Sequence, residues 1–271
     1  MTIHAPLQGT RACLLISAAC IAAACGTRTP QCADAQVVAR VEQLAAASIE
    51  EGLVRVDPEV KLEPVLSRID IAVASALSTA YDKAIDKWTC SAQLRVGLPA
   101  QIAAMHAHPA FKAAAIPKLE VHFQGNDLVT PITYTVYRSQ DEKQLIVNAE
   151  GLDVPARYVR GAYRVGAFTA DLNTAPDLRA GLTLYSAQGK HLLIRPTDDG
   201  RLQFHASYDN PMCRPWTQNI TAERDNTLIY RNEAAGCAAT FSLLGELLLV
   251  AHEGCSLMVQ SCLPDGVYRK R

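Results

Sequence analysis

His106 and His108, in the segment His-Ala-His-Pro, are the only close histidine pair in the chain, and His122 follows a short distance on. In an extended segment alternate residues share a face, so the pair could offer two imidazole nitrogens to a zinc ion and His122 a third. No Asp, Glu or Cys is placed as a further ligand. The expectation is therefore a solvated loop with incidental histidines, with no metal and no cofactor. The paired acids Asp198-Asp199 and Asp141-Glu142 have the composition of acid–base or calcium chemistry. Each sits beside Gly or polar residues, where carboxylates serve local turn hydrogen bonding instead. His252-Glu253 reads as a hairpin end. A nucleophile elbow needs Gly-x-Ser-x-Gly, and that motif is absent, as are Ser-x-x-Lys, a phosphate loop, a dinucleotide fingerprint and His-Glu-x-x-His. No catalytic constellation emerges. Arg214-Pro215-Trp216 is of another kind, since an arginine-flanked aromatic in a cysteine-anchored turn has the composition of an interface anchor. A Trp capping the end of a barrel is the competing reading.

The formal net charge is -1. With no strongly basic or acidic balance, nucleic acid is not expected as a partner. At the N-terminus, His4 and Arg11 precede the apolar run Leu14 to Gly26, LLISAACIAAACG, which approaches Cys25 through small residues. This order is that of an export signal over residues 1–24, followed by a polar tether over 25–31. The run falls short of the roughly 20 apolar residues that spanning a bilayer requires.

Ala23-Ala24-Cys25-Gly26 resembles the lipobox of bacterial lipoproteins, departing from it at Ala22, where Leu is usual. The resemblance implies that Cys25 receives a diacylglyceryl group and that its freed amine is acylated with a fatty acid such as palmitate. It also implies that Gly26, where Asp would signal inner-membrane retention, sends the protein to the periplasmic side of the outer membrane. Setting aside Cys13 and Cys20 in the signal and Cys25 under lipid leaves six of nine cysteines: Cys32, Cys90, Cys213, Cys237, Cys255 and Cys262. An even remainder in an exported chain reads as a disulfide framework, for which six cysteines allow 15 connectivities.

The fold class read from the pattern is α+β: an N-terminal helical hairpin packed on an antiparallel sheet over residues 32–152, then a small all-β antiparallel barrel or sandwich over 155–271. Val37, Val41, Leu44, Ala45 and Ile49 recur at helical spacing after Asp34, a candidate cap. Leu66, Ile69, Val73, Leu77, Tyr81, Ile85 and Trp88 repeat that spacing and predict a second helix. A Cys32–Cys90 bridge would close this pair, stabilising it by about 3 to 5 kcal/mol. Alternation at Ala92, Leu94 and Val96 predicts a strand, and the stretch around Ile102 to Ala115 predicts a short helix broken at Pro109 or an insertion loop. Three more alternating runs, about Leu119, Ile132 and Leu145, complete a meander. From Gly161-Ala162-Tyr163 onward the texture is of short strands with regular turns. A hairpin turning at Gly245-Glu246 favours Cys237–Cys255 and leaves Cys213 for Cys262, although neither pairing is forced.

The closing pattern, Cys213, Leu228-Ile229-Tyr230, Cys237, Gly254-Cys255 and Cys262 with Gly266-Val267-Tyr268, resembles the disulfide-bonded β modules that end many small periplasmic lipoproteins, lysozyme inhibitors among them. The short Ser-Gly-x-x-x-x-Tyr motif of such inhibitors is absent, so no residue is assigned from the resemblance. The function expected is a non-enzymatic, lipid-anchored periplasmic protein. Its partner would be another envelope protein, with cell-wall and lipid hydrolases as the target class for inhibition or immunity. The alternative is a carrier of a lipid or small ligand in a barrel cavity lined by Leu184, Ile194, Phe204 and Leu249.

Overall fold

The computed structural model describes residues 29–139, 144–174, 176–255, 262 and 264–271. The segment read as an export signal, with Cys25, lies outside these residues, as do Asp141 and Glu142. Helix α1 (Ala35–Val54) buries Val37, Val41, Ala45, Ile49 and Leu53, one residue per turn. Asp34 stands at its N-cap position, but its carboxylate accepts from the Gln31 amide at 2.7 Å instead of capping the helix. After the single turn α2 (Glu63–Leu66) the expected second helix does not form. Residues Asp70–Asp82 are strand β1, paired antiparallel along β2 (Lys87–Gly97). The pairing is irregular between Ala74 and Leu77, where Ser75 takes a φ of 54°, and again between Ser78 and Ala80. Each irregularity shifts the in–out phase of a strand. Two of them leave apolar residues spaced as a helix would space them, while Leu77 and Ile85 point to solvent at 63% and 61% exposure.

The ambiguous stretch is two short helices, α3 (Ala100–Met105) and α4 (Pro109–Ala115), with Pro109 opening the second, where a missing N–H costs nothing. Strands β3 (His122–Gln124), β4 (Asp127–Arg138) and β5 (Leu145–Glu150) follow. β4 pairs with β2 on one side, and on the other with β3 near its start and β5 near its end, giving a five-stranded sheet. Helix α5 (Asp153–Arg164) occupies the span in which strands were expected to begin at Gly161. It packs on α1, so the helical pair on this sheet is α1 with α5, elements far apart in sequence.

Nine strands make up the rest: β6 (Thr183–Ala187), β7 (Lys190–Pro196), β8 (Leu202–Tyr208), β9 (Trp216–Asn219), β10 (Ala222–Arg224), β11 (Thr227–Asn232), β12 (Cys237–Leu244), β13 (Leu247–Glu253) and β14 (Gly266–Lys270). Their order is β10-β11-β12-β13-β14-β6-β7-β8-β9, curled into a half-barrel. The chain is thus α+β, with a barrel-like all-β part after a helical part. Disulfides join Cys32 to Cys90, Cys213 to Cys262 and Cys237 to Cys255.

Two apolar cores result. The first gathers α1, α3, α4, α5 and the five-stranded sheet, and the second fills the half-barrel around Tyr185, Phe204, Phe241 and Tyr268. β13 and β14 form the wall between them. Leu247, Leu249 and Val267 face the first core, while Leu248, Val250 and Tyr268 face the second.

Candidate functional site

Where the helical layer meets the edge of the half-barrel, an open cleft of about 710 Å³ remains, within the roughly 300–1,000 Å³ usual for ligand sites. Its walls come from the residues after α1 (Val56, Asp57), the end of α4 (Ala113, Ala114), the end of α5 (Tyr163, Arg164), the β6–β7 hairpin and β14. The approach of α4 to α5 is what shapes this edge. Gly161 lies so close to the Ala115 carbonyl that a Cβ there would stand 2.0 Å from the oxygen.

Tyr163 donates its hydroxyl to the Asp57 carboxylate at 2.6 Å, and this bond, helped by burial and the carboxylate's charge, pushes the phenol up to about 12. Across the cleft the Lys190 ammonium donates to the Asp265 carbonyl at 3.1 Å. Burial lowers the Lys190 pKa, with the Asp265 charge opposing the shift. The Asp265 carboxylate lies against His252 Nδ1 in a contact without hydrogen-bond orientation, and its Oδ1 is buried with no hydrogen bond among the described residues. Tyr208 beside it is pushed up to about 12, by burial first and by Asp265 second. Tyr268 donates to the Pro264 carbonyl at 2.6 Å and closes the cluster. All six sulfurs of the described cysteines are in disulfides and supply no thiol. The cluster offers charge and hydrogen-bond donors for recognition.

A narrower groove of about 130 Å³ continues from the cleft, sharing Val56 and Arg164 as walls. Ile116, Pro117 and Leu119 give it an apolar floor, and Arg157, Arg160 and Arg164 of α5 line one side. Arg164 donates to the Ala114 carbonyl at 2.5 Å. Neither Arg157 nor Arg160 has a hydrogen bond or ion pair among the described residues.

The residues singled out from sequence are placed elsewhere. His108 lies at the N-cap of α4, its Nδ1 accepting from the Ala110 amide at 3.2 Å. His106 follows α3 and stacks on Phe123 with 4.7 Å between ring centres, and burial is the main cause lowering its pKa. His122 is exposed on β3. The loop expected for the first two is therefore a pair of helix ends, and their imidazoles have separate structural partners. Among the described residues no three His, Cys, Asp or Glu side chains are grouped to hold a metal.

Trp216 stands edge-on to Phe204 and Tyr230 at 4.8 and 5.2 Å, closing the half-barrel where β9 nears β11 by side chains alone. A slot of about 160 Å³ opens there between Trp216, Gln218, Tyr230, Asn232 and the Cys237–Cys255 bridge. Arg214 is exposed nearby. Of the residues expected to line a barrel cavity, Ile194 and Phe204 are packed in the second core, Leu249 belongs to the first, and Leu184 is half-buried. They do not surround a common space.

No protein-family model, curated protein or solved structure matches this chain. Among the described residues no helix is long and apolar enough to cross a membrane.

Tyr163, Arg164, Lys190 and Asp265 were not singled out from sequence, because they come from three separate parts of the chain, the end of α5, the start of β7 and the approach to β14, and only the docking of α4 on β14 brings them together. Arg157, Arg160 and Arg164 did carry a signal, spacing of three and four residues, but it has meaning only once the segment is known to be helical.

Proposed function

We propose that the protein is a non-enzymatic binding protein of the bacterial envelope. It is tethered through lipid on Cys25 at the periplasmic face of the outer membrane and holds another envelope protein at the cleft. A cell-wall or lipid hydrolase that it inhibits is the target class.

The observation that supports this reading is the position of the cleft relative to the anchored end. Thr29, four residues after Cys25, is buried with its amide on Asp86 at 2.9 Å, beside the Cys32–Cys90 bridge. α1 starts there and ends next to Val56 and Asp57, which line the cleft. Its 20 residues rise about 30 Å at 1.5 Å per residue. A chain fixed at its N-terminus thus carries the cleft about one helix length from its anchor, where a partner in the periplasm can reach it, and tethering raises the local concentration of binder for such targets.

The test has two arms. Cys25→Ser should abolish fatty-acid labelling and move the protein out of the membrane fraction. A photo-crosslinking residue at exposed Ala113, in the cleft, should trap one discrete protein, and the same residue at exposed Thr79 on β1 should not. Equal trapping at both positions, or none at either, would reject the reading.

A further inference from the structure

We propose that the arginine face of α5, with the groove beneath it, binds an extended acidic segment of the partner protein; this rests on the partner-binding reading above. Residues at i, i+3 and i+7 lie on one side of a helix, so Arg157, Arg160 and Arg164 form one row along the groove. No carboxylate lines this groove. Arg157 and Arg160 have no ion pair or hydrogen bond among the described residues, and Arg164 is bonded to a carbonyl, which leaves its charge in place. Like charges in adjacent turns repel, and an incoming row of carboxylates relieves that repulsion. Guanidinium forks also match carboxylates in bidentate geometry.

The rest of the surface narrows the choice of ligand. The floor of Ile116, Pro117 and Leu119 favours a segment with apolar side chains between its acids, and the small size of the groove, about 130 Å³, suits side chains of an extended segment laid along the arginine row. The adjoining cleft sets Lys190 and Arg269 against Asp57 and Asp265, with Arg269 also 3.8 Å from Glu246, so the arginine row itself supplies the charge that the segment meets. An anionic membrane offers the same charge. It is disfavoured because the arginines line a recessed groove over an apolar floor and not a flat face.

Fluorescence anisotropy with a labelled peptide of alternating Glu and Leu, added to the full chain carrying Cys25→Ser, tests this directly. Binding is expected to weaken at least tenfold in the double variant Arg157→Gln/Arg160→Gln and to fall with rising salt. The control pair Arg224→Gln/Arg231→Gln, equal in charge change and exposed elsewhere, should leave it within twofold. Absence of peptide binding, or equal weakening by both pairs, would overturn the proposal. Flotation of the chain with phosphatidylglycerol vesicles, lost in the Arg157/Arg160 variant while the peptide goes unbound, would overturn it in favour of a lipid surface. If the Ala113 crosslink forms undiminished in the Arg157/Arg160 variant, the partner-binding reading stands and the acidic-segment proposal falls.

Discussion

Gly161 and Tyr163, two residues apart on α5, fix the geometry of the cleft by different physics. At Gly161 the α4 backbone comes so near that a Cβ would meet the Ala115 oxygen at 2.0 Å and the carbonyl carbon at 2.8 Å. Backbone atoms cannot swing aside as a flexible side chain can, so α4 must move. Gly161→Ala should therefore cost about 1–3 kcal/mol or more, the range for overpacking a filled site. Urea denaturation would give the loss, and faster amide exchange over Pro109–Ala115 would locate it. At Tyr163 the effect is electrostatic. Its phenol, raised from about 10 to about 12, stays neutral in the fold. The raised group's contribution is fully present below the unfolded value near pH 10 and is lost as pH climbs through 12. The wild type should lose stability across that window, and Tyr163→Phe should lose less of it, read as the slope of unfolding free energy against pH. An identical slope in the variant would remove the Asp57–Tyr163 bond as the cause.

At the scale of elements, Cys32 and Cys90 are separated by 58 residues, and chain-entropy reasoning puts the value of closing such a loop at about 4 kcal/mol. The double variant Cys32→Ala/Cys90→Ala should lower unfolding stability by about that amount, measured by guanidinium denaturation. The Tyr134 hydroxyl, which donates to the Cys32 carbonyl at 2.8 Å from a buried position, should become more exposed to solvent. The cysteines themselves were legible, because the β12–β13 register sets Ala238 opposite Glu253 and so brings Cys237 to Cys255, as a hairpin turning near Gly245 requires. Alternating strands such as β4 and β8 were legible for the same reason, one face being buried and the other not. β1 was not. Its two irregularities replace period two with a spacing that imitates a helix, and only pairing with β2 decides the matter. α5 was missed because Gly161-Ala162-Tyr163 reads as the start of the strand-like texture, whereas Pro155 sits in the helix's first turn and Gly161 at its contact with α4. Missing the helix also hid the arginine row, since a net charge of -1 averages over a surface on which those charges are gathered.

For the whole molecule the decisive feature is the shared wall. Leu247, Leu248, Leu249 and Val250 of β13 are all buried, with 2% exposure at most. Such a continuous apolar run is what a strand covered on both faces requires. Because Leu248 packs into one core and Leu249 into the other, neither core keeps its boundary if the other melts. The cleft lies along this junction, where α4 contacts β13 and β14, and the arginine groove opens from its α4–α5 side. Leu248→Ala and Leu249→Ala should each cost about 2–5 kcal/mol, the usual range for emptying a leucine site in a core. Each variant should still unfold in one transition, with near-ultraviolet and far-ultraviolet circular dichroism coincident. If Leu249→Ala instead splits the transition, leaving the half-barrel intact after the helical part has melted, then β13 is a partition between independent units. In that case Ala113 and Arg164 would lose the rigid backing of β14, and the cleft would be the first part of the surface to disappear.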